Sequence, residues 1–306
     1  MGSASYGLAA ISRLKLTPPT RSHRKSGGLV AGLGVPLRDR LGKITHPEGA
    51  ELQLDTALAD WIADRLLPWG ADVGTRVCAI VPVGYEAYLR VFHHAEEHVG
   101  RESIRRRWSE LAQRSGRQMH PAVQFDRFAW PNPPQEGSLD RQEATALVLL
   151  LRAHTTTSNH CWFAIWHGFS QLTGSVQVHV VGGRGPRAWL QQRRAARRVA
   201  PPRDLAAAPT VSLPNREYFL YRGPIDVVPR FEHLPGHLQT PNMWWPEDRA
   251  WFVATEIDFD STLVACTRAC GAALLNSDLE VIEVSAETRL DIDGDTVNVK
   301  MTQVLR

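Results

Sequence analysis

Apolar and polar positions divide the chain into short elements of both kinds. Leu54, Leu58, Trp61, Ile62 and Leu66 recur at helical spacing within Leu52 to Leu67, and Pro68 and Gly70 end that run. Arg76 to Val81 reads as a short apolar strand stopped by Pro82. From Gly84 the helical period returns, with Tyr85, Tyr88, Leu89 and Phe92 on one stripe. Ser103 is placed to cap a charged helix through Arg114, turning Ile104, Trp108 and Leu111 inward. The rigid segment Trp130-Pro131-Asn132-Pro133-Pro134 leads to Ser138, read as the cap of a helix from Leu139 to about His154. The interior of that helix, Ala144 to Leu151, is apolar nearly all round and is expected to be buried.

Beyond the polar loop Thr155 to Asn159, the stretch His160 to Trp166 is aromatic and β-branched and predicts a buried strand. Ser175 to Val181 alternates more weakly. Glu217 to Tyr221, Arg249 to Ile257, Leu279 to Val284 and Val297 to Val304 are further strands, and Cys266 to Leu275 a helix. The chain has no internal repeat and no recurring βαβ unit, so the pattern indicates an α+β fold, a mixed or antiparallel sheet with packed helices. Residues 1–48 lack periodicity and read as a disordered basic extension, removable without loss of stability. An N-terminal α+β part over 49–181, an Arg/Pro/Ala-rich linker over 182–210 and a C-terminal α+β part over 211–306 follow.

Composition narrows the class. A hydrophobic fraction of 43% and a charged fraction of 22% suit a folded domain. No apolar run approaches the roughly 20 residues that span a bilayer, so no membrane partner is expected. Cys78, Cys161, Cys266 and Cys270 form no compact framework and read as reduced thiols of a cytoplasmic protein. The net charge of +3 comes from two local clusters, Arg13 to Lys25 and Arg184 to Arg198, which read as solvated segments without sequence-specific nucleic-acid binding.

Candidate chemistry is sparse. His94-Ala95-Glu96-Glu97-His98 fits H-x-x-E-H, in which two histidines one helical turn apart hold zinc and the glutamate, Glu97, activates water. No acidic residue stands between Glu143 and Asp204 to serve as the downstream carboxylate, so no metal or other cofactor is assigned. On a strand, Glu256, Asp258 and Asp260 share one face and call for a cation, a basic partner or open water. Asp291-Ile292-Asp293-Gly294-Asp295 lacks the calcium-loop spacing and reads as a turn between two strands. Nucleophile-elbow and phosphate-loop motifs are absent. Trp244-Trp245, between Pro241 and Pro246, reads as a stiff loop presenting an aromatic anchor, with Asn242, Asp248 and Arg249 beside it.

Three stretches carry a resemblance: Val81 to His93, then His154 through Phe163, then Trp244 through Thr262. Together they resemble a family of uncharacterised actinobacterial proteins over roughly residues 50 to 285, a resemblance that implies class and compartment but no activity. A likeness to SUKH-type immunity proteins rests on Pro82 to Phe92 and the acidic stretch Glu256 to Asp260. The favoured expectation is a non-enzymatic, immunity-like or regulatory binding module. Its surface comprises Asn242, Trp244, Trp245, Asp248, Arg249, Glu256, Asp258 and Asp260 and faces a protein partner of basic character. The alternative is a metal-dependent hydrolase using either the Glu256–Asp260 face or His94, Glu97 and His98.

Overall fold

Strands from both ends of the chain interleave in one antiparallel sheet. The computed structural model describes residues 44–68, 74–100, 102–169, 172, 201–214, 216–234 and 236–299. Among these, β1 (Glu51–Leu52), β2 (Ala87–Phe92), the hairpin β3 (Ala95–Val99) and β4 (Glu102–Arg106), and β5 (Cys161–Trp166) come first. Then follow β6 (Val211–Leu213), β7 (Arg216–Gly223), β8 (Glu232–Leu234), β9 (His237–Leu238), β10 (Met243–Pro246), β11 (Trp251–Ala254), β12 (Ser261–Cys266) and β13 (Val281–Val284). The main sheet runs β1-β7-β5-β10-β11-β12-β2-β13, with β6 also on β7, while β3–β4 and β8–β9 are separate two-stranded ribbons. Early and late strands interleave in this order, so the described residues of 49–181 and 211–306 contribute to one sheet and are not separate parts.

The α-helices are α1 (Asp60–Ala63), α2 (Trp108–Ser115), α3 (Arg141–Arg152), α4 (Arg203–Ala206) and α5 (Arg268–Leu275). Helix α3 packs Ala144, Leu147, Val148 and Leu151 on the sheet face formed by Leu89, Phe163, Tyr221, Trp244, Trp251 and Val264, joined there by Cys270 and Leu274 of α5. The opposite face, with Tyr88, Trp162, Leu220, Trp245, Phe252 and Leu263, is covered by Ile62, Val77, Ile80 and Val81. A third cluster, Phe92, Ala95, Trp108, Leu111, Phe125 and Phe128, anchors the β3–β4 ribbon. The helix Leu139–His154 and the strands over His160–Trp166, Glu217–Tyr221, Arg249–Ile257 and Leu279–Val284 thus occur with small boundary shifts, in an α+β fold. Among the described residues, no helix is long and apolar enough to cross a membrane.

Several expectations are corrected. Tyr85 to Phe92 is not helix: Ala87–Phe92 is a strand with every residue buried. Covered on both faces, such a strand shows a continuous apolar run, which hides its period of two. Arg76 to Val81 contains a 3-10 turn (Val77–Ala79), and Leu52 to Leu67 splits into β1, a 3-10 turn and α1. Glu102–Arg106 is strand, so the helix expected from Ser103 starts only at Trp108. Cys266 ends β12, and Thr267 caps α5 by accepting from Cys270 N. Residues 296–299 are helical, where a strand was expected. The Asp291–Asp295 stretch contains a 3-10 turn (Ile292–Gly294) and does not join two strands. Residues 44–48 do not belong to the expected disordered extension: Ile44 is buried, and the His46 ring lies 3.1 Å from Tyr221 Oη and 2.8 Å from Asp204 Oδ2. Residues 1–43, the strand expected over Ser175–Val181, linker residues 182–200 and residues 300–304 of the last expected strand lie outside the described residues.

Candidate functional site

The Trp244–Trp245 pair is core. The two residues sit in β10, paired with β5 on one side and β11 on the other, and are 0% and 1% exposed. Alternation sends Trp244 against Trp251 on one face and Trp245 onto Phe252 on the other. The expectation of an exposed aromatic loop is therefore corrected; Pro246 ends a central strand. The neighbouring polar residues hold the frame. Asn242 accepts from Trp166 N through Oδ1 and donates to Thr255 O. The Asp248 carboxylate accepts from Thr155 Oγ1, Thr156 N, Thr156 Oγ1 and Ala250 N; these bonds hold it below the usual range although burial opposes them. Arg249, with φ of 53°, lays its guanidinium over Trp61 at 4.5 Å.

The acidic stretch is not a strand face either. β11 ends at Ala254, and Glu256, Asp258 and Asp260 lie in the turn before β12. Glu256 is buried and accepts from Arg216 Nε at 2.9 Å and from Asp258 N at 2.9 Å. Asp260 Oδ1 lies 3.7 Å from the buried Arg90 Nη2, and burial raises its carboxyl above the usual range. Only Asp258 stands open to solvent. A single carboxylate face is therefore not formed.

A different group converges. An open cavity of about 370 Å³ is lined by His93, His94, Glu96, His98, Asn132, Pro133, Gln135, Asp140 and Glu143. The extended chain from His94 into β3 alternates, so His94, Glu96 and His98 face the cavity, and Glu97 turns away to accept from Arg106 Nε at 2.6 Å. Glu96 and His98 have Arg105 and Ser103 as their cross-strand partners, and Ser103 Oγ donates to Glu96 Oε2 at 2.9 Å. At roughly 3.3 Å per residue His94 and His98 are about 13 Å apart, too far to share one metal ion, so the His94/Glu97/His98 triad is corrected.

The missing partners come from the start of α3. Asp140 caps the helix, its Oδ1 accepting from Glu143 N at 2.7 Å. An acidic residue three positions after the cap ordinarily reaches back to the cap's own N–H. Here Glu143 Oε1 instead accepts from His94 N at 3.0 Å and lies 3.1 Å from His94 Nδ1. Asp140 Oδ2 lies 3.4 Å from the same nitrogen. Arg105 ties both carboxylates, donating to Asp140 Oδ2 at 2.6 Å and lying 3.2 Å from Glu143 Oε1. Glu143 is 6% exposed, and its other oxygen, Oε2, is buried with no hydrogen-bond partner. Burial favours the protonated acid, but the bond from His94 and the charges of His93 and His94 outweigh it, bringing the carboxyl below the usual range.

Around this cluster the wall is fixed. Trp130 Nε1 and Asn132 Nδ2 donate to Glu96 O, holding the proline-rich segment to β3. The His93 ring lies 2.6 Å from Gln135 O and 2.9 Å from Thr262 Oγ1, and burial lowers its pKa. Gly137, at φ of 71°, donates its N–H to Phe259 O, and Ser138 Oγ meets Thr240 Oγ1 at 3.1 Å. Sequence reasoning singled out His94 but missed Asp140 and Glu143. The signal was the Asp140-Arg-Gln-Glu143 spacing of a helix start, which the reading of Ser138 as the cap concealed. Comparison of the chain with protein-family models, with curated proteins and with solved structures finds no match.

Proposed function

We propose that the protein is a hydrolytic enzyme acting on a small polar substrate in the His94–Glu143 cavity. The observation that carries this reading is the meeting of a buried carboxylate with a histidine and a second carboxylate on the wall of an open cavity. Carboxylates and imidazoles gathered in one cleft are a common mark of a reactive site. The cavity is open to solvent and lined by carboxylates and imidazoles, groups that accept a proton from water, so this reading takes water as the nucleophile. Water adds to the electrophilic carbon or phosphorus, the bond to the leaving group breaks, and the proton released from the water passes to the leaving atom. Glu96, the next group along the face from His94, is the carrier for that proton. The binding-module reading loses support here, because its aromatic anchors are core residues.

The test is a panel of carboxylic esters, amides and phosphoesters with chromogenic leaving groups. At least one class is expected to turn over, with a loss of a hundredfold or more in His94→Ala and Glu143→Gln at unchanged thermal stability. Turnover unaffected by both substitutions, or none in any class, contradicts the reading.

A further inference from the structure

Resting on the hydrolytic reading of the cavity, we infer that His94, Asp140 and Glu143 together bind one first-row divalent cation of the zinc or manganese type. One ligand atom from each residue lies within 4.8 Å of the others. Two ligands about 2.1 Å from one metal ion are about 3.0 Å apart at a right angle and about 3.4 Å apart at the tetrahedral angle. His94 Nδ1 stands 3.1 Å from Glu143 Oε1 and 3.4 Å from Asp140 Oδ2, so both edges already have the spacing of ligands on a common centre.

The second and independent observation is the orphaned oxygen. Glu143 Oε2 is buried and unpartnered in a side chain that is 7% exposed and lines the cavity. A buried acceptor left unmade costs about 1–3 kcal/mol, more if charged, so the charge of this carboxylate is incompletely compensated by its present partners. Charge points the same way. Asp140 and Glu143 carry two negative charges against the single positive charge of Arg105, leaving an excess that a divalent ion reverses. Arg105 then acts as an outer partner that orients both carboxylates, as hydrogen-bonded second-layer groups do in metal sites. The imidazole selects against magnesium and calcium, which take oxygen ligands. Three protein ligands beside an open cavity leave a coordination position for water, the arrangement of catalytic sites.

The experiment is calorimetric titration of the full chain, stripped with chelator, with zinc chloride and, separately, manganese chloride. One equivalent of at least one ion is expected to bind, with magnesium failing to compete. Asp140→Asn, which retains the capping oxygen, and Glu143→Gln are each expected to weaken binding at least tenfold, and His98→Ala to leave it unchanged. Thermal melting identifies any variant that has lost its fold, in which case Asp140→Asn alone decides. No stoichiometric uptake of either ion by the wild-type chain, or equal uptake by folded Asp140→Asn, overturns the metal site. The two readings separate cleanly: turnover of a chromogenic substrate by protein that takes up no metal removes the cation and leaves the hydrolase. Uptake without turnover of any substrate class does the reverse.

Discussion

Replacing Trp245 by alanine removes an indole that is 1% exposed, stacked on Phe252 at 5.5 Å and 16°, and met edge-on by Trp61 at 6.0 Å. Truncating a buried tryptophan costs about 3–5 kcal/mol, the lost transfer energy plus the cavity that stays open. The neighbours here sit on the rigid centre of the sheet, where collapse into the void is limited, so the upper half of that range is expected. At 2–4 °C per kcal/mol the melting temperature should fall by roughly 10 °C or more. Urea unfolding followed by far-ultraviolet circular dichroism gives the free energy directly. A cycle with Phe252→Ala isolates the stacking contribution, expected near 0.5–1.5 kcal/mol. Asp258→Asn, at an exposed turn residue, serves as the control and should stay within about 0.5 kcal/mol of wild type. A Trp245→Ala cost below about 1 kcal/mol, with the fold intact, would refute the placement of this residue in the core.

His233 is 1% exposed, and burial lowers its pKa to about 4. The unfolded chain takes up this proton near pH 6.5 and the folded chain only near 4. Stability is therefore full above pH 6.5 and falls by up to about 3 kcal/mol towards pH 4; denaturant curves at stepped pH should lose that slope in His233→Gln. Ile44→Ala, at a residue 3% exposed, is expected to cost about 2 kcal/mol or more, and a melting temperature equal to wild type would place the start of the packed chain beyond it. Gly137→Ala puts a Cβ 2.6 Å from Ile257 O at positive φ and should destabilise by about 2 kcal/mol; a neutral result in thermal melting would contradict this close approach.

What was legible in the sequence follows from burial. Helix α3 was read well because its length and apolar interior have no strand equivalent, and β5 because aromatic and β-branched residues fill it between turn signals. Strand β2 was misread because both its faces are covered; even Arg90 is buried, donating to Ser261 Oγ and Val123 O. With no polar face, spacing alone favoured a helix. Pro241 and Pro246 suggest a loop around Trp244, yet Pro246 occupies the last position of its strand, beyond the last β10–β11 pair at Trp244, where proline is tolerated. The candidate site was half legible. His94 stands out through its motif, but its carboxylate partners lie 46 and 49 positions along the chain, and the approach of the start of α3 to the segment between β2 and β3 brings them together. The same motif also depended on a helical period that the extended backbone of β3 does not have.

Anomalous diffraction tests most directly whether the His94–Asp140–Glu143 cluster is the working centre proposed for this protein. Crystals grown with zinc or manganese and measured on both sides of the absorption edge are expected to show one strong peak about 2.1 Å from a His94 ring nitrogen and from oxygens of Asp140 and Glu143. A map with no peak at that position, or with its strongest peak on other residues, would contradict the claim.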